Sequence, residues 1–426
     1  MRSFDVLIVG AGPAGMAAAW AASSPSRRVG VIDDNPAAGG QIWRGGERNS
    51  PWFTRFRTCG AEVLKGESVL GRLSSNTLLT STGNAIEFGK LIVCTGARER
   101  FLPFPGWTLP GVMGAGGLQA MVKGGMPVDG KRVIVAGTGP LLLAVAAYLK
   151  SRGARVLRVS EQTSFHKLRT FGKALLREPG KLAQGIGLRA KLLGTSIRSS
   201  SWPLRAEGAE GHLAFVTLHP GPRRIACDYL ACGFGLVPNI ELAALLECRI
   251  DTGAVAIDRW QQTTQPGIYA AGEITGVGGV EAALIEGQIA GYAATGDRPR
   301  AETLFKARDR ALRFRRAMET AFALRPELST LADADTIVCR CEDVTLGQLH
   351  DQRSWRSAKL QTRCGMGACQ GRVCGPAVAH LLGWPADSVR PPLFPTAAGN
   401  LARHSGTIRA TGEIARKYKE SVSDSG

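Results

Sequence analysis

Five of the ten cysteines lie between residues 339 and 374, as Cys339-Arg340-Cys341 and then TRCGMGACQGRVC, which holds Cys364, Cys369 and Cys374. Four thiolates in two close pairs suit either a tetrahedral zinc or an iron–sulfur cluster, since soft sulfur ligands select both. Zinc more often takes a CxxC knuckle, so a CxC followed after 27 residues by CxxxxC is unusual for it. The other five cysteines stand singly among apolar neighbours. That distribution predicts one metal site in a reducing compartment and no disulfide framework. Cys227 and Cys232, five apart in IACDYLACGF, would point to opposite faces of a strand and are read as buried structural cysteines, not a redox pair.

The second kind of chemistry is nucleotide binding. An apolar run from Phe4 to Val9 ends in Gly10, Ala11, Gly12, Pro13, Ala14 and Gly15, followed by an alanine-rich stretch from Met16 to Ala22. The next apolar run, Val29 to Ile32, ends at Asp33 and Asp34, 18 and 19 residues beyond Gly15. This is the dinucleotide fingerprint: glycines make the turn and admit a pyrophosphate, the helix N-terminus supplies positive potential, and an acid takes the ribose hydroxyls.

A second copy follows 127 residues later, with Arg132 to Ala136 as strand, Gly137 and Gly139 as turn, and Pro140 to Leu149 as helix. Its third glycine is Leu142, which is expected to loosen the helix-to-strand fit. The same offset puts Ser160 in the place of Asp33, with Glu161 beside it, so no acid falls strictly at the strand end. Three readings stay open for this half: a working NAD(P) site, a retained nucleotide such as ATP, or a purely structural half.

Two further strand ends complete the first copy, Leu91 to Cys94 closing on Thr95 and Gly96, and Gly267 to Ala271 closing on Gly272 and Glu273. The expected architecture is α/β. Residues 1–115 and 245–300 form one discontinuous dinucleotide-binding domain, and 116–244 form the second, inserted domain. Residues 300–332 read as an arginine-rich helical connector, 333–395 as a cysteine-bearing module and 396–426 as a tail.

Composition sets the outer bounds. A chain of 426 residues holds two or three domains, and 44% apolar with 21% charged residues excludes wholesale disorder and fibrous repeats. The net charge is +18, with 40 arginines among 53 basic residues. Aromatics are only 6% and the charge is spread along the chain, which argues against nucleic acid as partner. The densest stretch, RDRALRFRR at 308–316, reads as a solvated helix face or a docking surface for an acidic partner. No apolar run is long enough to span a membrane and no cleavable signal precedes the first strand, so a soluble, cytoplasmic protein is expected. The six histidines have no carboxylate at a motif spacing, and no substrate base is evident. Arg44, Arg98 and Arg100 are open to a phosphate, a carboxylate or solvent.

GAGPAG at 10–15, VIDD at 31–34, GGQ at 39–41, CTGARER at 94–100 and IYAAGEI at 268–274 together resemble the two-dinucleotide-binding-domain flavoproteins, the superfamily of glutathione and thioredoxin reductases. The resemblance implies two Rossmann-like, glutathione-reductase-like domains and FAD held in the first. The cofactor would lie on Gly10, Gly12, Pro13, Ala14, Gly15, Asp33, Asp34, Gly40, Gln41, Thr95, Gly96, Gly272 and Glu273, with Gly137 and Gly139 serving the second domain. Glu273 stands where the family usually has aspartate.

CRCEDVT with RCGMGACQGRVC is similar to the module of bacterioferritin-associated ferredoxin. That implies a [2Fe-2S] cluster on Cys339, Cys341, Cys369 and Cys374, leaving Cys364 as a packed neighbour or an alternate ligand. With GGQIWRG at 39–45, FPGWTLPGVMGAGGLQ at 104–119 and VAGTGPLLLAVAAYL at 135–149, the chain resembles the large flavoprotein subunit of bacterial opine oxidases, hydrogen cyanide synthase and hydroxyproline dehydrogenase. This implies electron relay in a heteromeric amine or opine dehydrogenase. The partner would be a glycine-oxidase-like flavoprotein subunit, a small ferredoxin-like subunit could join them, and FMN could be shared at an interface. The rivals are an NAD(P)H-dependent reductase and a structural subunit.

Overall fold

Apolar runs that need cover on both faces form central parallel strands. In the computed structural model, which describes residues 2–44, 50–221, 223–384 and 389–403, Arg2–Val9 takes the centre of the first sheet. Its Val6 to Val9 pair in parallel with Val29 to Ile32 on one side and Lys90 to Val93 on the other. Glu62–Lys65 extends the sheet beyond Val29–Asp33, and Ile268–Ala270 pairs in parallel with the end of Ala85–Val93. The start of Ala85–Val93 instead joins an antiparallel hairpin, Val69–Ser74 and Thr77–Thr80.

The helix Pro13–Ala22 contains no charged residue, and most of its alanines are buried. Against it lies Gly279–Ala294, at backbone contact distance. A Cβ on Gly287 would fall 2.1 Å from the Ala14 carbonyl oxygen, and one on Gly291 would fall 2.5 Å from that of Ala18. Two glycines one helical turn apart therefore set the helix spacing, and with it the height of the glycine turn above the sheet.

A second sheet is wholly parallel, in the order Ser196–Arg198, Arg155–Glu161, Arg132–Thr138, Tyr229–Phe234, Val112–Gly114. Helices Ala115–Lys123 and Leu141–Ser151 pack on it, and an antiparallel sheet of Pro203–Ala209, His212–Leu218 and Arg224–Ala226 accompanies it. The chain divides into two units: Met1–Ala97, Pro238–Leu312 and Ser388–Gly426 in one, Arg98–Val237 and Arg313–Asp387 in the other. Because Val112–Gly114 pairs with Tyr229–Phe234, residues ahead of 116 belong with the second sheet. The divisions fall at 97/98 and 237/238, earlier than the 115 and 244 read from the sequence.

The cysteine-bearing stretch lies in the second unit, while Leu393 and the short helix Ala398–Ala402 lie in the first. There the Leu393 amide donates to the Leu70 carbonyl at 2.8 Å, and Asn400 Nδ2 donates to the Ser81 carbonyl at 2.6 Å. Gly45 of the GGQIWRG string and the tail lysines Lys417 and Lys419 are outside the described residues. Among the described residues, no helix is long and apolar enough to cross a membrane.

Candidate cofactor and metal sites

In the first unit three loops meet at the carboxyl ends of adjacent parallel strands, the place where open α/β sheets bind ligands. Gly10 follows Val9 with φ 105°, and a Cβ there would strike the Cys94 carbonyl oxygen at 2.3 Å. A Cβ on Gly15 would fall 1.7 Å from the Gly10 carbonyl oxygen, so the third glycine sets the fit of helix to strand. Gly12 differs: a Cβ there would meet only the Gly40 Cα, at 3.9 Å. Its missing side chain leaves a cradle over the N-terminus of Pro13–Ala22, which has proline at its first position and no side-chain cap. Free amides around an open cradle fit a pyrophosphate.

Asp33 is buried at the end of its strand and accepts a hydrogen bond from the Ala11 amide inside the turn. Its other oxygen accepts from the Asn35 amide and from Asn35 Nδ2, at 2.8 and 2.9 Å. Asp34 is exposed, and its pKa is raised by partial burial and by neighbouring Asp33. Arg44 Nη2 donates to Asn35 Oδ1 at 2.6 Å, which places this arginine on the acid turn. Gly40 lies against Gly12, whereas the Gln41 side chain is exposed.

Thr95 and Gly96 are braced by Asn239, a residue 144 positions away from Thr95. Thr95 Oγ1 donates to the Asn239 carbonyl at 2.7 Å, Asn239 Nδ2 donates to the Thr95 carbonyl at 2.8 Å, and the Asn239 amide donates to the Gly96 carbonyl at 2.9 Å. Gly272 is held by Glu286, a carboxylate 2% exposed in the helix behind it. Glu286 Oε2 accepts from the Gly272 amide at 2.9 Å and from Thr275 Oγ1 at 2.8 Å. Burial pushes the pKa of adjacent Glu273 upward. Asn239 and Glu286 were not singled out from the sequence; an isolated asparagine after a proline and one acid in an alanine-rich helix carry no motif.

The second turn repeats the first with one change of register. Arg155–Glu161 pairs Val156 with Val133 but Arg158 with Ile134, so a bulge adds one residue to the strand. The offset between the copies becomes 128, and Glu161, not Ser160, pairs with Gly137 at the strand end. This corrects the sequence reading. Glu161 accepts from the Gly139 amide at 2.7 Å, Thr138 Oγ1 at 3.0 Å and the Thr163 amide at 2.9 Å. Burial raises its pKa against the pull of those bonds.

Gly137 is sterically required, because its Cβ would fall 1.9 Å from the Gly233 carbonyl oxygen, and Gly139 faces open space. Leu142 is 1% exposed and fits because Gly233, near its Cδ2, has no side chain. Its bulk is absorbed, contrary to expectation. The segment after the arginine-rich helix is bonded to this turn. Gln162 Nε2 donates to the Ala323 carbonyl at 3.2 Å and its Oε1 accepts from the Arg325 amide at 3.2 Å, while Thr138 Oγ1 approaches the Phe322 carbonyl at 3.4 Å. Beside it is a cavity of about 460 Å³ lined by residues including Thr163, Lys167, Arg325 and Glu327. Arg325 is bonded to Glu327 and holds that carboxyl down at about 2.

The thiols form the third site. Cys339 ends the strand Ile337–Cys339, Cys374 opens the helix Cys374–Leu382, and Cys364 follows the left-handed Arg363 that closes Trp355–Thr362. Their three sulfurs lie within 4.8 Å of one another and all three residues are buried. Cys369 is half-buried and contacts Cys374 and Cys341; Cys341 is exposed. Contacts from Cys364 and Cys374 bring the Cys339 thiol down to about 2, and contact with Cys374 brings Cys369 down to about 5. A set of close thiols with thiolate character fits zinc or an iron–sulfur group by donor chemistry.

Two motif residues brace this module within the second unit. Trp107 Nε1 donates to the Ile337 carbonyl at 2.5 Å, and Arg98 Nε donates to the Arg372 carbonyl at 3.0 Å, between Cys369 and Cys374. Arg98 is thereby a support of the thiol loop. Arg100 is mostly buried, which lowers its pKa. Cys227 and Cys232 are free and share one core, because Cys227 precedes the strand Tyr229–Phe234 and the opposite-face rule for a strand does not reach it.

Residues 4–294 match the family described as pyridine nucleotide-disulphide oxidoreductase. The chain is 33% identical to an opine oxidase large-chain homologue, the A component of that enzyme in Rhizobium meliloti (strain 1021), over 94% of this chain and 99% of that protein. It is 31% identical to hydrogen cyanide synthase subunit HcnB of Pseudomonas protegens, over 87% and 90% respectively. Among solved structures, L-proline dehydrogenase from P. horikoshii superposes with a TM-score of 0.64 over 94% of this chain and 79% of that one, at 18% identity. T. acidophilum thioredoxin reductase does so with 0.55 over 70% and 99%, at 20% identity.

Proposed function

The chain belongs to the pyridine nucleotide-disulphide oxidoreductase family, with the A component of opine oxidase and HcnB as relatives over most of its length, and on that premise we propose that it is the FAD- and [2Fe-2S]-containing electron-transfer subunit of a heteromeric amine or opine dehydrogenase. The observation that carries this reading is the pairing, in one chain, of a three-loop crevice with an open glycine cradle and a cluster of close thiols. FAD supplies two-electron chemistry and an iron–sulfur group supplies one-electron chemistry, the combination needed to pass a hydride equivalent from a C–N substrate to a one-electron acceptor.

In this reading Gly10, Gly12, Pro13, Ala14 and Gly15 take the pyrophosphate, and Asp33, supported by Asp34, takes the adenosine ribose. Gly40, Gln41, Thr95, Gly96, Gly272 and Glu273 line the remainder of the flavin, with Asn239 and Glu286 fixing their loops. Cys339, Cys341, Cys369 and Cys374 are the ligands that the ferredoxin-like resemblance names. Substrate oxidation then falls to a glycine-oxidase-like partner, with FMN at the shared interface and a small ferredoxin-like protein as a further partner. Ten free cysteines suit the cytoplasm.

A second reading, an NAD(P)H-dependent reductase, draws on Glu161 standing where Asp33 stands in the first copy. Against it, Gln162 and Thr138 are engaged by residues 322–325, beside the place a dinucleotide would need. An anaerobic absorbance titration of the purified chain with NADH, NADPH and then dithionite separates the two. The relay reading expects about one FAD and two irons per chain, with reduction by dithionite alone. Rapid bleaching by NADH would establish the reductase instead, and zinc without iron would remove the one-electron path.

A further inference from the structure

The thiol module holds five cysteines for a group that needs four ligands, and burial divides them unevenly. Cys339, Cys364 and Cys374 are 1%, 0% and 2% exposed, while Cys341 is exposed and Cys369 is half-buried. Thiolates about 2.3 Å from one tetrahedral metal stand about 3.8 Å apart. The three buried sulfurs, within 4.8 Å of one another, are already near that spacing. Cysteines that merely fill a core have no reason to converge on one point, as the singly placed Cys94 and Cys248 illustrate.

The backbone is bent to place Cys364 there. Arg363 adopts φ 65° and Gly365 φ 78°, and a Cβ on Gly365 would fall 2.7 Å from the Trp355 ring. Two left-handed residues thus flank Cys364 and turn it inward. The same turn directs the Gly365 amide to Cys339 Sγ at 3.5 Å, so the Cys364 loop also solvates a neighbouring sulfur.

We infer that Cys364 is a resident ligand of the metal group together with Cys339 and Cys374, that Cys369 completes the set, and that Cys341 is the exchangeable fifth thiol. The inference rests on the proposed reading that this module carries an iron–sulfur group. Cys369 contacts both Cys374 and Cys341, so it is the point at which Cys341 can enter the set. A group held in this way keeps its site when Cys341 is blocked, and Cys341 becomes the thiol through which solvent chemistry reaches the module.

The test uses the full chain, purified anaerobically with its iron. Cys341→Ser and Cys364→Ser are compared for iron and acid-labile sulfide per FAD after exposure to a chelator, and for the EPR spectrum after dithionite. Cys364→Ser is expected to lose more than about half of its iron, since loss even of an outer partner costs about 10–100-fold in metal affinity. Cys341→Ser should keep its iron. Full iron with an unchanged EPR spectrum in Cys364→Ser, or equal loss in both variants, overturns the inference.

Alkylation of the native wild-type chain, read by mass spectrometry, covers the case in which Cys364→Ser does not fold. Of the five thiols only Cys341 should be labelled, and labelled Cys364 with protected Cys341 overturns the assignment. A wild-type chain without iron instead overturns the reading beneath it, so the two failures are distinguishable.

Discussion

The two glycine turns of this molecule are built alike and differ in what surrounds them. Each has a strand, a sterically forced first glycine, and an acid at the next strand's end that accepts a turn amide, Asp33 from Ala11 and Glu161 from Gly139. Around the first turn, Gly12 leaves an open cradle and the supporting groups, Asn239 and Glu286, approach from behind the loops. Around the second, Thr138 and Gln162 bond to residues 322–325 of the same unit, and a buried leucine replaces the third glycine. A shared fold element therefore does not carry a shared task. What decides is whether the polar groups facing the turn are already satisfied by protein.

The sharpest way to break this comparison is at the third helix position. Gly15→Val would drive Cβ into the Gly10 carbonyl, a backbone atom that cannot rotate away. The expected result is loss of bound FAD with destabilisation beyond the ~1–3 kcal/mol usual for overpacking, read by flavin content and thermal melting. The corresponding change in the second turn, Leu142→Ala, empties a packed site and should cost ~2–5 kcal/mol while the FAD-to-protein ratio of the folded fraction stays unchanged. Equal flavin loss in both would erase the distinction between the turns.

Smaller effects separate the supports. Glu286→Ala leaves the buried Gly272 amide and the Thr275 hydroxyl without this acceptor and should cost ~1–3 kcal/mol, with weakened FAD affinity measured by fluorescence. Glu161→Ala, which frees the Gly139 amide in the same manner, should leave FAD affinity unchanged. The smallest effect concerns the entry to the second turn's strand. The side-chain hydrogen bond from Arg132 holds the Asp228 carboxyl below the usual carboxylate range. A depressed folded pKa contributes stability above the unfolded value near ~3.9, and that stability is lost as pH falls through the folded value. The pair is partly exposed, so Arg132→Met should cost under ~1 kcal/mol at neutral pH. In that variant the extra acid sensitivity below about pH 4 disappears, a difference visible in melts at about pH 3 and pH 7.

Legibility followed the range of the interactions. Gly10, Gly15 and Asp33 were readable because a turn between a strand and a helix imposes its requirements within a few residues. The spacing of the five cysteines likewise marked a soft-ligand site. The acid of the second turn was misplaced by one residue because the bulge between Val156 and Arg158 is set by pairing with the strand Arg132–Thr138, and an offset counted along the chain cannot see it. Asn239 is 144 residues from the loop it braces, and Arg98 is 274 from the carbonyl it supports. Nothing local distinguishes these residues from other polar ones.

The sequence alone determined the family, the two α/β dinucleotide folds and the presence of a thiol module, because steric demands on glycine and the ligand preferences of sulfur belong to the residues themselves. Only the tertiary structure decided which acid reaches the second turn, what satisfies that turn, and which three sulfurs converge. Those outcomes depend on strand register and on which distant groups fill a buried polar valence, and burial makes an unfilled valence too costly for such choices to be left open.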